Sequence, residues 1–319
     1  MKKAGPPWLG HSVVSGNARH TARTLDSASA TSTGGNRLTM NIVLVLGIRL
    51  QPGKDQVRLR SLLTMELLDR LVDDETLVRQ AETPVAAVVA SHCGLRNAYP
   101  NLLATLVVPD SRLTEIARQL PPGVGVSLSV ITSAGAGGLL ALTRHNTANV
   151  DIASVEPALR DLDDLAGSAA RVISAAGGLE PETAVFIELP YAPGWESAVE
   201  LIEAAGLSGK IAVGKSEPRQ VVEQLSILIE ADLPFKITSP FEEDWLALLS
   251  TVEALVAGAS IEEATELLRL GDHDQVGSAV ASWDPTTQSR VRRRVRRIGT
   301  ARVRDVITAL TGYGLRPES

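Results

Sequence analysis

Four charged side chains could do chemistry, because each lies in a short aliphatic run of the kind that forms a buried strand. An ionisable group in such a run is costly unless it is paired or faces a wet cavity. Consecutive parallel strands could bring all four groups together inside a barrel, although strand alternation alone does not identify the inner face. The four residues are Glu156, Glu188, Lys210 and Lys236.

Two lysines and two glutamates in this arrangement predict lysine chemistry of the Schiff-base type. Lys236 would be the reacting amine, and Lys210 would be the cation that lowers its pKa. Glu188 or Glu156 would serve as general acid or base. The alternative is a structural layer of salt bridges in the barrel interior, with no turnover.

A repeating alternation of strand and helix must position these residues. Helical segments separate the aliphatic runs, which is the pattern of consecutive βα units on a parallel sheet. We therefore predict an α/β fold, a (β/α)8 TIM-barrel-like parallel barrel with an N-terminal helical extension. An open doubly wound sheet is the alternative, but no Gly-x-Gly-x-x-Gly fingerprint supports it. The runs are 103–109, 126–132, 150–156, 184–190, 210–214 and 235–239, with weaker candidates at 276–283 and 301–306.

Three regions differ in composition and pattern. Residues 1–39 are rich in Ser, Thr, Gly and Ala, and we predict disorder or an extension that precedes a true start at Met40; an organelle transit peptide is a further alternative. Residues 40–100 begin with an apolar strand at 42–46 and continue with leucines at helical spacing, which predicts a strand and a helical layer. Residues 101–319 hold the barrel pattern.

Composition excludes several classes of function. A formal net charge of −6 argues against nucleic acid as the main partner. No apolar run reaches the roughly 18 residues of a membrane span, and a single cysteine, Cys93, is typical of a reducing compartment, so we expect a cytoplasmic protein. The histidines share no ligand spacing, and we predict no metal and no cofactor. The expected partner is a small anionic or carbonyl ligand. The sequence also leaves open whether the chain forms a homo-oligomer.

Three further motifs each have two explanations, one functional and one purely structural. The segment 132–138 is glycine-rich and could bind phosphate at a helix start, or simply form a tight turn. The segment 290–298 predicts a basic amphipathic helix, which would pair with acidic surface residues or contact a polyanion or a partner. Cys93 follows His92 and could be a nucleophile, although a lone cysteine is more often a small buried apolar residue.

Several blocks resemble an uncharacterised bacterial β/α-barrel family with Val-Glu-x-x-Leu-Arg, Lys-Ile-Arg-Thr-Gly-Gly and Pro-Phe-Lys-Ala-Thr motifs. The matching segments are 107–113, 154–160, 186–190, 209–211 and 233–238. This chain keeps Lys210 and Lys236 but has Ala212 and Lys215 in place of the family's Arg and second Gly, and lacks the His-His pair after Ser239. The segment 235–239 is also similar to the Schiff-base strand of deoxyribose-phosphate (class I) aldolases.

The resemblance implies a barrel and supplies no reaction. Two functions therefore stay open. One is a lyase or aldolase that acts on a small carbonyl or phosphorylated metabolite. The other is a catalytically inactive barrel that serves as a ligand-binding or protein-interaction module, with the segment 290–298 as its contact surface.

Overall fold

A computed structural model describes residues 67–120, 124–143, 150–214, 216–238, 245–270, 273–315 and 317. The apolar run at 42–46 and the segment 1–39 lie outside these residues. In the described part of the chain no helix has the length and apolar character that crossing a membrane requires.

Eight parallel strands close into a barrel in the order of the sequence, β1 to β8, with β8 pairing back onto β1. This confirms the predicted (β/α)8 architecture. The strands are β1 (Val72–Asp74), β2 (Leu103–Pro109), β3 (Val126–Thr132), β4 (Val150–Pro157), β5 (Ala184–Glu188), β6 (Ser208–Ala212), β7 (Phe235–Thr238) and β8 (Val295–Thr300).

Helices follow the strands and cover the outside of the barrel. Their starts have familiar causes: Asp164 caps one helix through the N–H of Gly167, Asp284 caps another through Thr287, and Pro218 occupies the first turn of a third. The described helices are α1 (Thr76–Arg79), α2 (Val85–Ala98), α3 (Leu113–Gln119), α4 (Ala136–Leu142), α5 (Leu165–Ala176), α6 (Trp195–Ala204), α7 (Pro218–Glu230), α8 (Trp245–Val256), α9 (Ile261–Leu270), α10 (His273–Ala281), α11 (Pro285–Arg294) and α12 (Val303–Gly312).

The aliphatic core lies between the strands and the helices. Val185 and Ile187 of β5, for example, are buried in the cluster that contains Val199 and Ile202 of α6. Alternate residues of the same strands point into the barrel, and many of these are polar or charged. The helix-facing side thus supplies the apolar burial, while the interior is free to hold ionisable groups.

Six predicted strands are present at nearly the predicted bounds, and the two weaker candidates are wrong. Residues 276–281 belong to α10, and α12 begins at Val303. The eighth strand is Val295–Thr300 instead, so the predicted basic helix 290–298 ends at Arg294. The spacing of Val291, Val295 and Ile298 fits a helix locally, but pairing with both β7 and β1 draws Val295 and Ile298 into the sheet.

The first strand lies inside the segment 40–100, which the pattern assigned to a separate strand and helical layer. Val72–Asp74 pairs with β2 and β8, so the barrel begins before residue 101. The leucine spacing before Leu71 obscured this short strand, because three residues are too few to display an alternation of their own.

Candidate functional site

The four predicted site residues meet inside the barrel. Neighbouring strands place Glu188 beside Lys210 and Lys210 beside Lys236, and Glu156 reaches both lysines from β4. Side chains alternate between the two faces of a strand, and on each of these strands one inward-facing residue lies at about the same level along the barrel axis. The four side chains therefore converge.

Lys236 is fully buried between two carboxylates. Its Nζ donates to Asp73 Oδ2 at 2.7 Å and to Glu156 Oε1 at 2.7 Å, and all three side chains have no exposed surface. Burial opposes the charged form of Lys236, but Asp73 and Glu156 outweigh it and raise its pKa. The lowered pKa predicted for this lysine from the sequence is therefore wrong, because two carboxylates flank its ammonium group.

Glu156 is the centre of the network. Its Oε2 forms an ion pair with Lys210 Nζ at 2.8 Å, and its Oε1 accepts from Lys236 and from the hydroxyl of Ser129 at 2.5 Å. Although burial opposes ionisation, Lys236 and Lys210 hold the pKa of Glu156 far below its usual range. Glu156 is therefore a fixed anion that orients both ammonium groups.

Exposure increases around the network from β7 to β5. The side chain of Lys236 is 0% exposed, that of Lys210 is 5% exposed and that of Glu188 is 36% exposed. Lys210 Nζ lies 2.9 Å from Glu188 Oε2, and Ala212, two residues further along the same face of β6, is exposed. Burial opposes the charge on Lys210, but Glu156 and Glu188 raise its pKa. The network is thus open to solvent at the Glu188 end.

The structure adds two carboxylates that the sequence analysis missed, Asp73 and Glu75. Asp73 accepts from the hydroxyl of Thr105 at 2.6 Å as well as from Lys236. Both acids belong to the run Val-Asp-Asp-Glu at 72–75, and acids directly after Leu71-Val72 were the available signal. The two acids were missed because the helical pattern of the preceding leucines was extended through this run.

Glu75 has an environment unlike that of Glu156. It is 2% exposed, and Arg79, 3.1 Å away, is its ion-pair partner. Burial raises its pKa, and Glu156 adds to the rise, against the opposing effect of Lys236. Gly299 makes room for this carboxyl group, because a Cβ there would lie 2.0 Å from Glu75 Oε1. Lysines thus lower the pKa of buried Glu156, whereas burial raises the pKa of Glu75.

The remaining motifs lie outside this network. His92 contacts Asp74 at 3.2 Å, and burial raises the pKa of the Cys93 thiol, which disfavours a nucleophilic thiolate. The glycine-rich segment 132–138 spans the turn between β3 and α4 and the first residues of α4, with Gly135 at φ 52°. Lys215 and Ser239 lie outside the described residues. Among the residues that the structure describes, no group of His, Cys, Asp and Glu is arranged to hold a metal ion.

The arginines of α11 mostly face acids on neighbouring elements. Arg290 pairs with Glu253 at 2.7 Å, and Arg293 pairs with Asp232 at 2.7 Å. These contacts agree with the structural explanation of the basic segment.

No protein-family model and no curated protein matches this chain. Among solved structures, it is similar to a proposed fructose-1,6-biphosphate aldolase from Coccidioides immitis, with 9% identity, a TM-score of 0.39, and coverage of 82% of this chain and 98% of the other. It is also similar to the carboxyl transferase domain of Rhizobium etli pyruvate carboxylase, with 13% identity, a TM-score of 0.31, and coverage of 80% of this chain. The chain spans only 55% of that second structure.

Proposed function

We propose that this protein is a cytoplasmic barrel enzyme of the lyase or aldolase type, acting on a small carbonyl or phosphorylated metabolite through a lysine Schiff base. One observation carries the proposal: a continuous ion-pair chain from Lys236 through Glu156 and Lys210 to Glu188 becomes exposed at the carboxyl ends of the strands. Barrel enzymes place their reacting groups at that end.

Lys210 is the reacting amine in this proposal, in place of the Lys236 that the sequence suggested. A substrate that enters past Glu188 meets Lys210 first, since the Nζ of Lys210 is 2.9 Å from Glu188. Lys236 and both its carboxylate partners are completely enclosed. Lys236 then acts as the buried cation that balances Asp73 and Glu156.

The covalent step needs a neutral amine, and the neighbouring carboxylates determine where its proton goes. Glu188 accepts the proton of the Lys210 ammonium, and the freed nitrogen lone pair attacks the carbonyl carbon. The carbonyl π electrons move to oxygen, which takes one proton from the attacking nitrogen and becomes a hydroxyl. Glu188 returns its proton as that hydroxyl leaves as water, and the nitrogen lone pair forms the C=N bond of the iminium. Glu156 keeps Lys210 and Lys236 in position throughout.

A second candidate function rests on a separate observation. Both lysines are fully paired and both have raised pKa values, as expected of a structural salt-bridge layer. In that case the barrel would be an inactive ligand-binding or interaction module.

Reductive trapping distinguishes the two. The full-length protein would be incubated separately with pyruvate, acetaldehyde and dihydroxyacetone phosphate, and then with a crude metabolite extract. After borohydride reduction, intact mass and peptide mapping would locate any adduct. We expect an adduct on Lys210 that is absent from Lys210→Arg, a variant that keeps the cation but cannot form the iminium.

Each other result has a defined meaning. An adduct on Lys236 would keep lysine chemistry and reverse the roles of the two lysines. No adduct with any probe or with the extract, at several pH values, would reject the enzyme proposal and favour the binding module.

A further inference from the structure

A large cavity opens at the amino ends of the strands, opposite the proposed active site. Its volume is about 690 Å³, within the range of about 300 to 1,000 Å³ that holds small-molecule ligands. Arg70, which precedes β1, and Arg297 of β8 line it together with residues 150–153 at the start of β4.

The donors of these two arginines are incompletely used. The Nε atom of Arg70 is enclosed and has no hydrogen-bond partner among the described residues. Arg297 donates from Nη1 to the carbonyl of Arg296 at 3.1 Å, and its Nε forms an ion pair with Asp73 Oδ1 at 3.7 Å, a distance too long for a hydrogen bond. An enclosed guanidinium donor without an acceptor is costly, and a bound anion would remove that cost.

Two neighbouring arginines at this end of the barrel, by contrast, donate hydrogen bonds to backbone carbonyls. Arg292 donates to the carbonyls of Asp69 at 2.8 Å, Val295 at 2.6 Å and Arg296 at 3.0 Å. Arg96 donates to the carbonyls of Pro100 and Leu103. These two hold the backbone together, whereas Arg70 and Arg297 face the cavity.

Two arginines and three acids line the cavity, and they differ in burial. Burial lowers the pKa of Arg297, and repulsion by Arg70 and Arg296 adds to this, against the opposing effects of Asp73 and Asp69. Asp151, Glu180 and Glu182 also line the cavity, and all three are exposed. Asp151 accepts from the hydroxyl of Ser127 at 2.9 Å. The basic part is therefore the enclosed one.

We propose that Arg70 and Arg297 bind a small oxyanion, a phosphate or a carboxylate group, in this cavity. Paired guanidinium groups match both chemistries, because each presents planar donors to two oxygens at once. The site is separate from the Lys210 end of the barrel, so the proposal stands whether or not the Schiff-base chemistry is correct.

The test is isothermal titration calorimetry of the full-length protein with inorganic phosphate and, separately, with succinate. Sodium chloride would keep the ionic strength constant, so that general screening does not vary. We expect saturable one-site binding of at least one probe, and the tighter probe assigns the class of anion. Arg70→Gln and Arg297→Gln should each weaken binding roughly tenfold to a hundredfold, the range of one charge-assisted hydrogen bond.

Arg219→Gln is the matched control, because it removes an arginine from the exposed face of α7, where it pairs with Glu223. Its affinity should equal that of the wild type. If Arg297→Gln does not fold, the same titrations would be made with Arg70→Gln and Arg297→Lys. Absence of binding by both probes, or a folded Gln variant at either position that binds as tightly as the wild type, would overturn the proposal.

Discussion

The ammonium of Lys236 lies 2.7 Å from the carboxylate of Asp73, which joins β7 to β1 across the inside of the barrel. The two residues are 163 positions apart in the chain, and neither has exposed surface. This contact ties the strand that precedes the last βα unit to the strand that opens the barrel. A charged pair at this depth affects stability as well as function.

Replacing Lys236 by Met should destabilise the protein by about 3 to 5 kcal/mol, because Asp73 and Glu156 would remain buried without that cation. Urea denaturation measures the free energy of unfolding. In the double variant Lys236→Met/Asp73→Asn the loss should be smaller than the sum of the two single losses. Additive losses would contradict the direct pairing of these two residues.

Glu156→Gln should remove a pH dependence of stability. The pKa of Glu156 is held far below its ordinary value, so the stability that it contributes is present above the unfolded pKa of about 4.3 and is lost as the pH falls. The variant should be less stable than the wild type at pH 7, and the gap should narrow on acidification. Denaturation curves between pH 3 and pH 7 would show this, with exposed Glu115→Gln as the control. A gap that stays constant with pH would be evidence against the assigned shift.

Glu75→Gln should have the opposite effect. Burial raises the pKa of Glu75, so its ionised form costs stability once the pH exceeds the ordinary glutamate value. The neutral amide removes that cost, and the variant should be as stable as the wild type or more stable at pH 7. The difference should vanish as the pH falls toward 4. If the variant were less stable relative to the wild type at pH 7 than at pH 4, this account of Glu75 would be refuted.

Gly299→Ala should destabilise the protein by about 1 to 3 kcal/mol through overpacking. The added Cβ would lie 2.0 Å from Glu75 Oε1, and the carboxyl group would have to move. Gly125→Ala, which has nothing within 4 Å of its added Cβ, is the matched control. Thermal denaturation would measure both variants. Combining Gly299→Ala with Glu75→Ala should recover most of the loss, and no recovery would argue against this steric explanation.

Adduct formation at Lys210 should increase with pH. Glu156 and Glu188 raise the pKa of Lys210, so the neutral amine becomes more abundant as the solution becomes more alkaline. The rate of trapping should therefore rise without a plateau below the ordinary lysine pKa of about 10.4. Glu188→Gln should lower the pKa of Lys210 and move this rise to lower pH, and it should also lower the maximal rate because the proton acceptor is lost, as rates measured from pH 6 to pH 10 would show. An unchanged profile in that variant would exclude Glu188 as the group that controls Lys210.

The amino-acid sequence by itself determined the architecture and part of the network. The aliphatic runs from Leu103 to Thr238 predicted six strands, because buried parallel strands need continuous apolar residues on the helix side. Glu156, Glu188, Lys210 and Lys236 were identifiable, since an ionisable group in such a run requires a partner or a cavity.

Only the tertiary structure decided how the barrel closes and which groups complete the network. The strand β1 is short, and β8 has apolar residues at helical spacing. Both are strands because each pairs with two neighbouring strands. Asp73 meets Lys236 only after that closure. The exposure of each lysine, on which the proposed choice of Lys210 over Lys236 rests, depends on the side chains that other strands bring beside it, and local spacing does not encode these neighbours.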